Sequence, residues 1–155
     1  MEESKYVVFR LGEQKYGMSL QHINGIEQGY HIIPVPNAPE GIKGIINLRG
    51  AVIPVYSLLE QFGMEGVVEG EDRSLLITMS SGTSLAYEVD EVITIEEVTD
   101  DNLNKMPKMA SNDENAYLDR VLHIGEDIVI AINVEKILSE DMRKQVNDFI
   151  EERQQ

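Results

Sequence analysis

Val7, Phe9 and Leu11 recur at every second position across Lys5–Leu11. That period predicts a β-strand with one buried face. Gly12-Glu13-Gln14-Lys15 supplies turn residues, and Tyr16–Leu20 predicts the returning strand of a hairpin. Further strands are expected at Gly44–Leu48, Ala51–Tyr56, Leu75–Met79, Leu85–Val89, Val92–Ile95, Tyr117–Ile124 and Ile128–Ile132. Turn signals at Arg49-Gly50, Ser80–Thr83 and Gly125-Glu126-Asp127 separate them. Pro34, Pro36 and Pro39 exclude a helix or a central strand between them and predict an extended edge crossing the surface. Pro54 asks for an edge position or a bulge. Ser57 with Glu60 forms a capping-box pattern that should open a short helix ending near Gly63. Met64–Asp72 has a linker's composition, and Thr99–Asn115 reads as a long loop. From Asn133 onward, Val134, Ile137, Leu138, Met142, Val146, Phe149 and Ile150 fall at helical spacing, which predicts a C-terminal helix beginning close to Asn133.

The two halves of the chain share a pattern. Val7-Val8-Phe9 with Tyr16, Leu20, Ile23 and Ile26 aligns with Leu76-Ile77-Thr78, Leu85, Val89, Val92 and Ile95. Ile53, Val55, Ser57, Leu58 and Phe62 align in turn with Val129, Ala131, Asn133, Val134 and Leu138. Ser57 and Asn133 would both cap a helix that follows a strand pair. The repetition favours two similar small β-subdomains over one open sheet, and short strands with little helix between them argue against a parallel α/β sheet.

Length and composition narrow the function. A chain of 155 residues makes one compact domain or two small subdomains with a common interface. There is no cysteine, which excludes a disulfide framework, a thiol nucleophile and a cysteine-based metal site. The opening MEESKYVVFRL has no basic stretch followed by an apolar run, and no apolar stretch approaches the roughly 20 residues of a membrane helix. The chain is therefore expected to stay in the cytoplasm. With 28 acidic and 13 basic residues the formal charge is −15, which opposes binding to nucleic acid or anionic lipid.

Catalytic chemistry finds no foothold. His22, His31 and His123 lack the spacing of metal ligands, and Gly44 to Gly50 is neither a dinucleotide loop nor a phosphate loop. Asp100, Asn102 and Asn104 imitate the start of a calcium loop, but Lys105 and Ser111 stand where its glycine and glutamate belong. No catalytic residue, metal ligand or cofactor is assigned, and nothing here nominates an enzyme.

One segment is more informative than its composition. Val35-Pro36-Asn37-Ala38-Pro39, then Ile42-Lys43-Gly44, then Asn47-Leu48-Arg49-Gly50 with Ile53-Pro54 resembles the signature of the CheW chemotaxis coupling family. Phe9-x-Leu11-Gly12 with Tyr16-Gly17, Val89-Asp90-x-Val92 and Ile132-Asn133-Val134-Glu135-Lys136-Ile137-Leu138 fall in the same order, so the resemblance spans Lys5 to Met142. It implies a mainly β fold of two small, interleaved five-stranded β-barrels packed side by side, with short helices, and a single domain over 1–155. It also implies an adaptor that ties the cytoplasmic tips of chemoreceptors to the regulatory domain of the histidine kinase CheA. On the same resemblance Ile23, Ile26, Arg49, Val92 and Ile95 line a receptor-facing groove, and Ile32 faces the kinase. Lys43, Gly44, Asn47, Leu48, Gly50 and Pro54 carry the structural motif. Gly25 stands where the family commonly has a glutamate, Ser57 and Leu59 replace an Asp and an Arg, and Ala86, Arg120 and Leu122 occupy positions where glycines are common. Two alternatives stand beside the coupling role: a divergent scaffold of a non-motility pathway, and a ligand-binding sensor on the same fold.

Overall fold

The computed structural model describes residues 4–39, 41–58, 73–80, 82–99, 103–105, 118–137 and 140–154. The strands are β1 (Ser4–Leu11), β2 (Gln14–Ser19), β3 (Ile23–Glu27), β4 (Ile42–Leu48), β5 (Ala51–Ser57) and β6 (Ser74–Ser80). β7 (Thr83–Val89), β8 (Glu91–Val98), β9 (Leu103–Lys105), β10 (Leu118–Ile124) and β11 (Asp127–Ile132) follow. A 3-10 turn at Leu20–His22, another at Val134–Lys136 and helix α1 (Glu140–Gln154) complete the elements.

Two sheets result, with strand orders β8-β1-β2-β11-β10-β9 and β3-β6-β7-β5-β4. Each sheet therefore combines a hairpin from one half of the sequence with strands from the other half. The two registers match pair for pair. Tyr6–Ser19 through Leu11–Gln14 in β1–β2 has its counterpart in Leu75–Glu88 through Ser80–Thr83 in β6–β7. Gly17–Ala131 and Met18–Ile132 in the parallel β2–β11 pair correspond to Ala86–Val55 and Tyr87–Tyr56 in the parallel β7–β5 pair. Ile42–Tyr56 through Leu48–Ala51 corresponds to Leu118–Ile132 through Ile124–Asp127, and both ladders shift register after their first pair. The repeat seen in the sequence is thus a structural repeat whose copies exchange their hairpins.

Alternation then sorts the apolar side chains into three layers. Val7, Phe9, Leu11 and Met18 of the first sheet meet Tyr56, Leu76, Leu85, Tyr87 and Val89 of the second in one shared core. The Tyr56 and Tyr87 rings meet edge to face there, with centroids 5.8 Å apart. The opposite faces hold smaller cores, Ile46, Ile53, Val55, Leu75, Ile77 and Ala86 in the second sheet and Val8, Val98, Leu122, Val129 and Ala131 in the first. Ala86 and Leu122 are thereby buried apolar filling, whereas Arg120 is exposed. Val146 and Phe149 of α1 close the shared core, and Thr83 donates to Asn147 Oδ1 at 3.1 Å.

The mainly β, two-subdomain layout expected from the sequence is present, but its details differ. The sheets have six and five strands, and among the described residues neither ladder closes into a barrel. The expected long loop Thr99–Asn115 contains β9, which pairs with β10, and Ile23–Glu27 is a strand although its short Asn-Gly-containing sequence gives little β signal. Asn133 caps the 3-10 turn, its Oδ1 accepting from the Glu135 amide at 3.0 Å, while α1 begins only at Glu140. The helix expected from Ser57 to near Gly63 and the linker expected at Met64–Asp72 fall largely on residues 59–72, outside the described ones.

Pro54 is neither at an edge nor at a bulge: β5 lies between β7 and β4. Leu48–Ala51 closes a two-residue turn, so alternation puts Ile45–Pro54 on a pair that exchanges no hydrogen bonds. Ile45 instead exchanges both of its backbone bonds with Ile33, at 2.8 and 2.9 Å. The parallel ladder to β7 starts only at Val55, so no partner lacks the missing proline N–H. Ile33 covers the β4 edge just as Asn104 of β9 covers Val121 of β10. That crossing explains Gly44, where a Cβ would collide with the Ile33 carbonyl and stand 2.8 Å from Ile32 Cγ2. Gly44→Ala should lower the unfolding free energy in urea by roughly 1–3 kcal/mol. Gly25→Ala, whose added carbon has no neighbour nearer than 3.9 Å, should not be destabilising.

Candidate partner-binding surface

β3 and β8 are equivalent edge strands of the two sheets. Val92 and Ile95 stand opposite Phe9 and Val7, and Ile23 and Ile26 stand opposite Thr78 and Leu76. Opposed residues lie on the same face of a sheet, so these four side chains extend the shared core outward to its two rims. Ile23 and Val92 are half-buried against that core, while Ile26 is 39% and Ile95 50% exposed. None of the four is fully buried. Both edge ladders carry a register irregularity, between Val8 and Phe9 and between Ile23 and Gly25. Such bulges, together with the exposed Glu91 and Glu97 on β8, oppose the addition of another strand. The rims offer apolar anchor points and not a backbone template.

Arg49 sits at the tip of the β4–β5 hairpin. Arg49 and Gly50 have φ of +53° and +86°, the left-handed pair that a two-residue turn between twisted strands requires. Gly50 occupies this region freely, whereas an arginine there costs about 1 kcal/mol. Asn47 Oδ1 accepts from the Gly50 amide at 3.1 Å and pins the turn. The Arg49 side chain is exposed and forms no ion pair among the described residues. In ladder order its hairpin is at the opposite edge of the second sheet from β3, and no hydrogen bond or ion pair links Arg49 to β3 or β8 among the described residues. Ile32 packs partly against the second sheet's own core, and its neighbour Ile33 is the more exposed, at 45%.

Sequence reasoning missed a buried polar network. Arg73, just before β6, donates Nη1 to Glu88 Oε1 at 2.8 Å and Nη2 to Asp90 Oδ1 at 2.9 Å. Lys43 Nζ reaches Glu88 Oε1 at 2.9 Å, and the Tyr30 hydroxyl donates to Glu88 Oε2 at 2.6 Å. Asp90 Oδ2 accepts from the Gly12 amide at 2.7 Å, which ties the β1–β2 turn of the first sheet to the second. Arg73 and Glu88 are almost wholly buried, and Arg73 Nε has no hydrogen-bond partner among the described residues. The hints in the sequence were Gly12, Lys43 and Asp90, each inside a motif of the family resemblance, whereas Arg73 and Glu88 look like two more surface charges. Among the described residues no group of His, Asp or Glu side chains is placed to hold a metal ion.

The CheW-like domain family model matches residues 5–142. The chain belongs to the CheW-like domain family. It is 26% identical to the chemotaxis protein CheW of Klebsiella aerogenes over 137 residues, covering 88% of this chain and 82% of that protein. It is also 26% identical to the chemotaxis protein CheW of Treponema pallidum over 151 residues, covering 94% and 89%. The crystal structure of the scaffolding protein TtCheW from Thermoanaerobacter tengcongensis superposes with a TM-score of 0.77 at 27% identity, over 84% of this chain and 89% of that one. In this CheW-like chain Arg49 occupies a strained and exposed turn position. Arg49→Asn should raise stability by roughly 0.5–1 kcal/mol, because asparagine tolerates the left-handed region. Thermal unfolding of the two proteins checks it. Arg73→Met should instead cost about 3–5 kcal/mol in urea, since Glu88 would be left buried with its main cation gone.

Proposed function

We propose that this chain is a non-enzymatic scaffold that couples the cytoplasmic tips of chemoreceptors to the regulatory domain of the histidine kinase CheA. The observation that carries the reading is the extent of the family match, which takes in both sheets and all of the rim strands. The relatives' names support it: they are chemotaxis CheW proteins, and the structural neighbour is a scaffolding protein. A scaffold needs no catalytic group. Its work is a coupling free energy, in which each partner's binding depends on the arrangement that the other favours.

The surface suits this task in physical terms. Ile26 and Ile95, backed by the half-buried Ile23 and Val92, offer spaced apolar anchors to one face of a partner helix. Arg49 presents a planar fork of donors at a rigid turn, fitted to a carboxylate on the receptor. Ile32 and the Pro-rich crossing form a separate surface for the kinase. No helix among the described residues is long and apolar enough to cross a membrane, so any association with a membrane array would run through such partners.

The decisive measurement is binding of the purified chain to a receptor cytoplasmic tip and to a CheA regulatory domain, each at two salt concentrations. Arg49→Ala should weaken receptor binding about tenfold at low salt and less at high salt, while CheA binding stays within twofold. Arg49→Asn should show the same loss together with a higher melting temperature, which separates contact from folding. Unchanged receptor affinity in both variants would remove Arg49 from the interface.

A further inference from the structure

The buried network runs through the molecule in series. Tyr30 and Lys43, at the Pro-rich crossing and on β4, hold Glu88, and Arg73 holds both Glu88 and Asp90. Asp90 holds the Gly12 amide, and its own amide donates to the Arg10 carbonyl at 3.0 Å. Asp90 immediately precedes β8 and its neighbour Glu91 lies 3.5 Å from Arg10, so the chain of contacts ends where the Val92–Ile95 rim begins. Each end of the series thus touches a different surface of the molecule, and the joint in the middle is one guanidinium.

We propose that Arg73 is the pivot of a relay that couples the Pro-rich crossing to the β8 rim. The guanidinium is a rigid planar fork, with one nitrogen committed to each carboxylate and Nε buried with no partner among the described residues. Because the fork is planar and rigid, a shift of Nη1 with Glu88 also moves Nη2 away from Asp90. If Glu88 loses its bond from Tyr30, its free oxygen draws the fork toward β7, and the bond to Asp90 loosens. Asp90 then holds the Gly12 amide and the start of β8 less firmly. The reverse change acts in the opposite direction, because coupling between two sites is reciprocal. Asp90, which the sequence motif marks without explaining, is the output of this pivot.

Native-state amide exchange on the free, full-length chain tests the relay without reference to any partner. Tyr30→Phe deletes one hydroxyl, and the relay predicts about tenfold faster exchange at the Gly12 amide, which lies on the other sheet. The Val129 amide, in the β10–β11 ladder away from the network, should keep its wild-type rate. Asp90→Asn should in turn speed exchange at the Ile33 and Ile45 amides, each of which donates to the other residue's carbonyl at the crossing. If Tyr30→Phe changes only residues touching Tyr30, or speeds Gly12 and Val129 by the same factor, the relay is wrong. Should Asp90→Asn fail to fold, the Tyr30→Phe rates alone decide the matter.

Discussion

The parallel pairings of β2 with β11 and of β5 with β7 join strands from different halves of the chain, and the other contacts follow from them. Parallel neighbours cannot be linked by a tight turn, so each pairing forces the intervening chain to go away and build something else before it returns. Between β2 and β11 the chain builds the whole second sheet. Neither sheet can therefore be completed by one half alone. The buried faces of both hairpins, β1–β2 and β6–β7, then have one place to go, which is against each other in the shared core. Such non-local pairing carries a loop-closure cost that only the completed core offsets.

This interleaving also decides which sheet edges are covered. The β4 and β10 edges are covered by Ile33 and by β9, and the other ends of the two sheets are β3 and β8. Because these two are equivalent under the internal repeat, their apolar side chains flank the same core from both sides. Bulges and glutamates on the rims discourage strand addition. Arg49 stands on a turn that keeps a left-handed arginine at a stability cost. Strain retained at an exposed position is a reason to look for a function there.

Much of this was legible beforehand. The period-two runs located most strands within a residue or two, because alternating burial writes itself directly into composition. The internal repeat was legible too, down to the pairing of Ile23 with Val92 and of Ile26 with Ile95, since equivalent positions face equivalent cores. β3 and β9 were not, because edge strands are short and half-solvated and carry little apolar signal. The helix start was placed too early because Val134 and Ile137 do pack in the core, but from a 3-10 turn and not from α1. Pro54 was misplaced because a proline in a sequence cannot show which side of its strand makes hydrogen bonds.

By itself the sequence determined the class of fold, the twofold repetition, the turn at Asn47-Leu48-Arg49-Gly50 and the family, all of which rest on local periodicity or on residues adjacent in the chain. The tertiary structure decided which hairpin joins which sheet, since apolar faces of similar pattern are interchangeable until strands are paired. It alone brought Arg73, Glu88, Asp90, Tyr30 and Gly12 together, because charged residues carry no address in the sequence. Their burial, and with it the difference between a solvated charge and a buried joint between two sheets, exists only once distant strands have closed around them.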